Sequence, residues 1–132
     1  MSERTAAQRL GDTAEVYVAR RLSAAGWTVI ARNIRLGHDE IDLVALDPGP
    51  PSELVAVEVR WRVSRAFGLP EETVGWAKRR ALRRALGALR GRLPELAPEL
   101  IHLPLRLDLV AVEPPRADGP PILRHHRAVE FG

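Results

Sequence analysis

Two short apolar runs constrain this chain more than any other feature: Glu40-Ile41-Asp42-Leu43-Val44, and Val57-Glu58-Val59-Arg60-Trp61-Arg62. Both read as strands, and side chains alternate faces along a strand. In the second run Leu54, Ala56, Glu58, Arg60 and Arg62 share one face, and Val55, Val57, Val59 and Trp61 the other. In the first, Glu40 and Asp42 lie on one side, with Ile41, Leu43 and Ala45 opposite. Paired side by side, these strands bring Asp42 and Glu58 together near Arg60. Close carboxylates repel, so the pair calls for a proton, an arginine or a metal ion. The spacing also fits a bland account, a solvated sheet edge with two ordinary ion pairs.

The remaining elements follow from periodicity. Ala7, Leu10, Ala14, Val18, Leu22 and Ala25 recur at threes and fours, predicting a first helix over 5–25 that ends at Gly26, with Glu15 flanking its apolar stripe. Trp27 to Arg35 reads as a strand, with Trp27, Val29 and Ala31 alternating against Thr28, Ile30 and Arg32. Asp47 to Pro51 is a turn between the two carboxylate-bearing strands. After a loop over 63–70, a second long helix is expected at roughly Glu71 to Leu89. Its acidic start and Arg-rich end suit the helix dipole. Pro94 and Pro98 predict a break into a short turn or helix. Leu105 to Glu113 and Ile122 to Val129 are further strands.

Within the second helix, Val74, Ala81, Leu82, Ala85 and Leu89 fall in one arc, and Lys78 lies near its middle. An ammonium there must snorkel out, pair with a carboxylate or face a cleft. Arg79, Arg80, Arg83 and Arg90 point away from the arc, as a solvated face or a polyanion-binding one.

Charge is unevenly spread. The chain carries a net charge of +3, yet residues 60–92 hold ten basic side chains against Glu71 and Glu72. Such asymmetry points to a polyanionic partner. Lys78 is the one lysine among twenty basic residues, which makes it more informative than any single arginine. The 132 residues suit one domain spanning 1–132. No apolar run reaches a membrane span, Met1 to Leu10 shows no secretory signal pattern, and there is no cysteine. No membrane association and a cytoplasmic location are therefore expected. His38, His102, His125 and His126 show no zinc-site spacing, and no nucleotide-binding or Ser-His-Asp pattern occurs.

Taken in order, GDTAEVYVA (11–19), GWTVIARNIR (26–35), EIDLV (40–44), VEVRWR (57–62), FGLPEETVGWAK (67–78) and LDLVAV (107–112) make the chain resemble the YraN-type family of predicted endonucleases. That family lies within the PD-(D/E)xK superfamily of restriction-endonuclease-like folds. The resemblance implies an α/β fold, a restriction-endonuclease-like core with a central mixed sheet of about five strands flanked by two long helices. It implies that Asp42 and Glu58 are Mg²⁺ (or Mn²⁺) ligands and that Glu15 completes the acidic cluster. The implied activity is metal-dependent cleavage of DNA phosphodiester bonds, with structured or branched DNA among the candidate substrates. Arg62, Arg79, Arg80 and Arg83 would grip phosphates. Small members of the superfamily often act as homodimers.

The chain departs from the family pattern at two places. The motif lysine is Arg60, and arginine stays protonated, so it cannot serve as a general base; it can still stabilise charge on a phosphate. Lys78 matches a lysine carried by family members on this helix and is the candidate to take part of that role. Asp39 stands where glycine is common and adds negative charge beside the site. The alternatives are a non-catalytic nucleic-acid-binding module with a degenerate site, and a protein-interaction domain with an acidic face.

Overall fold

A computed structural model describes residues 5–61 and 75–129. In chain order the elements are α1 (Ala6–Ala24), β1 (Thr28–Leu36), β2 (Asp39–Asp47), β3 (Glu53–Trp61), α2 (Trp76–Leu96), a short 3-10 turn (Pro98–Leu100), β4 (Leu105–Glu113) and β5 (Ile122–His126). The five strands form one sheet in the order β1-β2-β3-β4-β5. All neighbours are antiparallel except β3 and β4, which run parallel. A parallel pair needs a long crossover, and α2 lies in that connection. This is the α/β architecture of a restriction-endonuclease-like core, as the sequence leads one to expect. None of its helices, among the described residues, is long and apolar enough to cross a membrane.

Each face of the sheet is covered by one helix. Ala14, Val18 and Leu22 of α1 pack on Leu43, Ala45, Val55, Val57, Val110 and Val112. Leu82, Ala85, Leu89 and Leu93 of α2 pack on Ile34, Ile41, Val44, Leu54, Ala56 and Leu107 on the other side. Central strands covered on both faces must be apolar on both, which is why Leu54 to Val57 is an unbroken buried run rich in β-branched residues.

Two departures from simple alternation shape the functional end of the sheet. Ile41 belongs to the α2-side cluster with Val44, whereas Leu43 and Ala45 belong to the α1 side. The expected grouping of Ile41 with Leu43 and Ala45 is therefore corrected: the pleat turns over at Asp42. Opposite it stands Asn33, with a left-handed φ of 52°. That conformation is uncommon for a side-chain-bearing residue but within reach of asparagine. In β1 the register also shifts between Val29 and Ala31, so Ile30 and Ala31 both pack toward α2 instead of alternating.

The helix boundaries differ as well. α2 runs through Pro94 to Leu96, beyond the expected end at Leu89. Burial of Leu89, Leu93 and Ala97 and the bond from Ala97 N–H to the Leu93 carbonyl (2.8 Å) hold that last turn together despite the proline. Glu71, Glu72, Val74 and the loop over 63–70 lie outside the described residues. β5 ends at His126, short of Val129, whose N–H bonds instead to the Leu107 carbonyl at 2.8 Å.

The end of the β2–β3 hairpin at Asp47↔Glu53 is tied by charge. Arg106 donates to Asp47 (2.8 Å), Glu53 (3.2 Å) and both oxygens of Asp108 (3.0 and 3.1 Å). Asp108 is fully buried and also accepts from the Ala128 N–H at 2.9 Å, with His125 Nε2 at 2.8 Å. Burial alone raises such a carboxyl; the His125, Arg106 and Ala128 bonds together outweigh it and hold Asp108 below the usual carboxylate range. Trp27 lies under the Arg106 and Arg127 guanidinium groups at 5.4 and 5.6 Å. Removing one partner of a buried charged network leaves the other unpaired, so Arg106→Ala is expected to cost about 3–5 kcal/mol in urea denaturation at pH 7. Because Asp108 is depressed in the folded state, the network's contribution is present above the unfolded carboxylate value and fades as pH falls through and below it. The wild-type and Arg106→Ala unfolding midpoints should accordingly converge in acid.

Candidate active site

The site opens where two strands part. The β2–β3 ladder begins at Leu43↔Val57, whereas β3 continues beside β4 as far as Trp61↔Val112. Beyond Leu43, β3 loses β2 as a main-chain partner, and the Asp42 side chain takes its place. The Val59 N–H donates to Asp42 Oδ2 at 2.8 Å. A part-buried N–H left by a departing strand calls for an acceptor, and here the acceptor is a carboxylate at the crotch of the fork.

Glu58, the residue before Val59, is buried at 5% exposure and sits beside Asp42. Its Oε1 pairs with Lys78 Nζ of α2 at 3.2 Å. Its Oε2 is buried with no hydrogen-bond partner. Burial pushes the Glu58 carboxyl up to about 7, helped by the charge of Asp42 and opposed by Lys78. Glu15, on α1 across the fork, is pushed up to about 8, by burial first and then by Asp42, with Glu40 and Asp12 adding to it. Asp42, Glu15 and Glu58 thus meet at the fork, and the two glutamates hold their protons more tightly than usual, through burial first and the neighbouring Asp42 second, with Lys78 offsetting part of the rise at Glu58.

A cavity of about 670 Å³ opens over Glu15 and Asp42, and Glu40, Asn33, Arg32 and Arg35 also line it. With its amide nitrogen turned toward the acids, Asn33 donates to Glu15 Oε2 at 2.7 Å and Glu40 Oε1 at 3.1 Å. Asn33 thereby ties the helix-borne glutamate to the sheet.

Of the residues singled out in the sequence, Glu15, Asp42, Glu58 and Lys78 come together at the fork. Arg60 lies half-buried on β3, two residues past Glu58 and paired in register with Ala111. Arg79, Arg80 and Arg83 are exposed on α2, and Arg80 and Arg83 border a shallow depression with Arg84. Arg62 lies outside the described residues. Asp39 does not add free charge to the site: Arg84 holds it through two bonds of 3.1 and 3.2 Å. Sequence reasoning set Glu40 beside Asp42 without giving it a role, and did not single out Asn33, Arg32 or Arg35. The polar Arg-Asn interruption within the strand run 28–36 was the available signal.

Among the described residues, no three His, Cys, Asp or Glu side chains close into a ready-made ligand set. Mg²⁺ does not ask for one, since it takes one or two carboxylates and fills its shell with waters and phosphate oxygens. The orphaned Glu58 Oε2 and the mutual repulsion of Glu58, Asp42 and Glu15 fit such a cation.

These elevated acids give the fold a pH dependence of definite sign. A carboxyl raised in the folded state contributes stability that is complete below the unfolded value, near 4.5, and lost as pH rises through the folded value. In EDTA the melting temperature is expected to fall between about pH 4.5 and 8. Glu15→Gln should flatten that decline, and millimolar Mg²⁺ should raise the melting temperature more at pH 8 than at pH 5. Thermal scans across pH check all three statements.

Residues 14–112 match the uncharacterised protein family UPF0102. The chain is 42% identical over 107 residues to the UPF0102 protein of Symbiobacterium thermophilum, covering 81% of this chain and 84% of that one. It is 40% identical over 119 residues to that of Bordetella petrii, covering 86% and 68%. The protein from Bordetella avium is 45% identical over 75 residues, which is 57% of this chain and half of that relative.

Proposed function

The chain belongs to the uncharacterised protein family UPF0102, the YraN-type family, and from the carboxylate fork we propose that it is a metal-dependent nuclease acting on DNA phosphodiester bonds, structured or branched DNA included. The observation that carries the reading is the buried Glu58, one oxygen on Lys78 and the other without a partner, adjoining Asp42 at the opening between β2 and β3. An interaction surface or a solvated sheet edge has no need to bury a carboxylate next to a second one. Such burial costs several kcal/mol by general experience unless a cation or proton compensates it.

In this reading Asp42 and Glu58 hold Mg²⁺ or Mn²⁺, with Glu15 beside them. When bound, the ion supplies Lewis acidity toward the scissile phosphate and an activated water. The chain's own groups do the rest. Asp42 is held by the Val59 N–H through one oxygen, which fixes the carboxylate at the fork. Lys78 Nζ has three donors and spends one on Glu58, leaving others for a phosphate oxygen or a water. Arg60 remains protonated and serves charge stabilisation only. Lys78 reaches the second carboxylate from α2 rather than from two residues along β3, and so offers the lysine that the β3 position lacks. The arginines of α2, Arg79, Arg80 and Arg83, meet backbone phosphates; phosphate contacts position a duplex without reading its sequence.

Cleavage of end-labelled linear, flapped and four-way-junction DNA with Mg²⁺ or Mn²⁺ tests the reading. Wild type is expected to cut only with metal, Asp42→Ala and Glu58→Ala to lose cutting altogether, and Lys78→Ala to fall by about 10²–10³-fold. Binding without cutting in wild type, with cutting gained by Arg60→Lys, would identify a nuclease fold that has lost its lysine. Binding without cutting in every variant would establish the non-catalytic module instead.

A further inference from the structure

We propose that Arg32 and Arg35 of β1 form a phosphate-gripping pair on the β1 wall of the carboxylate cavity. The proposal rests on the nucleic-acid reading above and extends it to a second binding wall, on β1.

The geometry starts from Asn33. Residues 32 and 35 are three apart, and regular alternation sends them to opposite faces of a strand. Here they share one. Directly paired residues of antiparallel strands lie on the same face. Arg32 pairs with Leu43, which packs on the α1 side, whereas Ile34 pairs with Ile41 and both pack on the α2 side. Arg35, between the α2-facing Ile34 and Leu36, faces α1 again and pairs with Glu40. The left-handed Asn33 is the turnover point that sets both arginines on the α1 side. Both line the cavity that holds Glu15 and Asp42.

Their surroundings are the second observation. Both arginines are exposed, and among the described residues neither guanidinium has a hydrogen bond or an ion pair, although Glu15 and Glu40 line the same cavity. The Asn33 amide engages those two carboxylates instead. Asn33 thus does two jobs at once: its backbone aims the arginines into the cavity, and its side chain occupies the acids beside them. Two unengaged guanidinium groups beside a carboxylate cluster suit a polyanion that bridges the acids through a cation and is held at its flanks by arginine. A phosphodiester backbone has that chemistry, since successive phosphates offer repeated targets for bidentate donors. With Lys78 reaching the fork from α2 and these arginines from β1, a strand crossing the fork is held on both sides of Asp42.

The test is fluorescence anisotropy with a short fluorescein-labelled DNA duplex in Ca²⁺, a divalent ion that can occupy the carboxylates while supporting phosphodiester cleavage poorly, so that cutting does not deplete the probe. Dissociation constants are measured across a salt series. Wild type is compared with Arg32→Ala, Arg35→Ala, the double variant, and Arg116→Ala, an exposed arginine on the β4–β5 turn that controls for loss of general charge. Thermal melts confirm that each variant is folded, which the exposure of both arginines favours. The double variant is expected to bind about tenfold weaker or worse at low salt, and the slope of log affinity against log salt should shrink by roughly 1.8, close to 0.9 per lost phosphate contact. Arg116→Ala should match wild type. If wild type binds and the double variant keeps its affinity and slope, this proposal is overturned while the nuclease reading stands. If wild type binds no DNA even at low salt, both fall together.

Discussion

The hydrogen bond from the Val59 N–H to Asp42 Oδ2, 2.8 Å long, joins the folding problem of this protein to its chemistry. β3 remains paired with β4 on one side, while on the other β2 turns away and a cavity opens over Glu15 and Asp42. A backbone donor abandoned at that point needs an acceptor in a place water reaches poorly. Supplying it from an aspartate fixes the aspartate's direction and sets a negative charge at the crotch of two diverging strands. The pleat inversion at Asp42 and the left-handed Asn33 are what allow one residue to serve both needs.

Two charge clusters lie at opposite ends of the β2–β3 hairpin, and their contrast is informative. Around Arg106 every buried charge is answered: three acids surround one guanidinium, and Asp108 is satisfied by His125 and the Ala128 N–H besides. Around Asp42 the balance is broken. Glu15 and Glu58 crowd it with Lys78 as the cation engaged, and an oxygen of Glu58 is left over. Acids of the same kinds thus sit in a compensated charge network at one end and in an under-compensated carboxylate cluster at the other. The difference lies in how many donors face the acids, and hence in whether their carboxyl values fall or rise.

Much of this was legible in the chain because hydrophobic periodicity reports local structure. The valine-rich run at 54–62, the three-and-four spacing of 14, 18 and 22, and the proline-rich turns mark the elements in order. The ordered motifs led to the family. Lys78 stood out as a cation in an apolar arc, and the structure sets it on Glu58. What stayed hidden depended on non-local geometry. Nothing near Asp108 in sequence announces that Arg106, His125 and Ala128 converge on it. No periodicity argument foresees the inversion at Asn33, because it assumes the alternation that Asn33 breaks. Asp39 illustrates the same limit: a residue read as extra charge near the site is held by Arg84, forty-five positions away.

The sequence by itself determined the element order, the two-faced burial of the central strands, the charge asymmetry and the identities of the acids. These follow from side-chain chemistry and from periods of two and 3.6, which act over a few residues at a time. The tertiary structure alone decided that Lys78 is the cation that reaches Glu58, that Asn33 ties Glu15 to the sheet, and that Arg32 and Arg35 share a wall of the cavity. Those outcomes depend on strand register, on where β2 leaves β3 and on one left-handed residue, and such long-range relations exist only once the sheet and its two helices have packed.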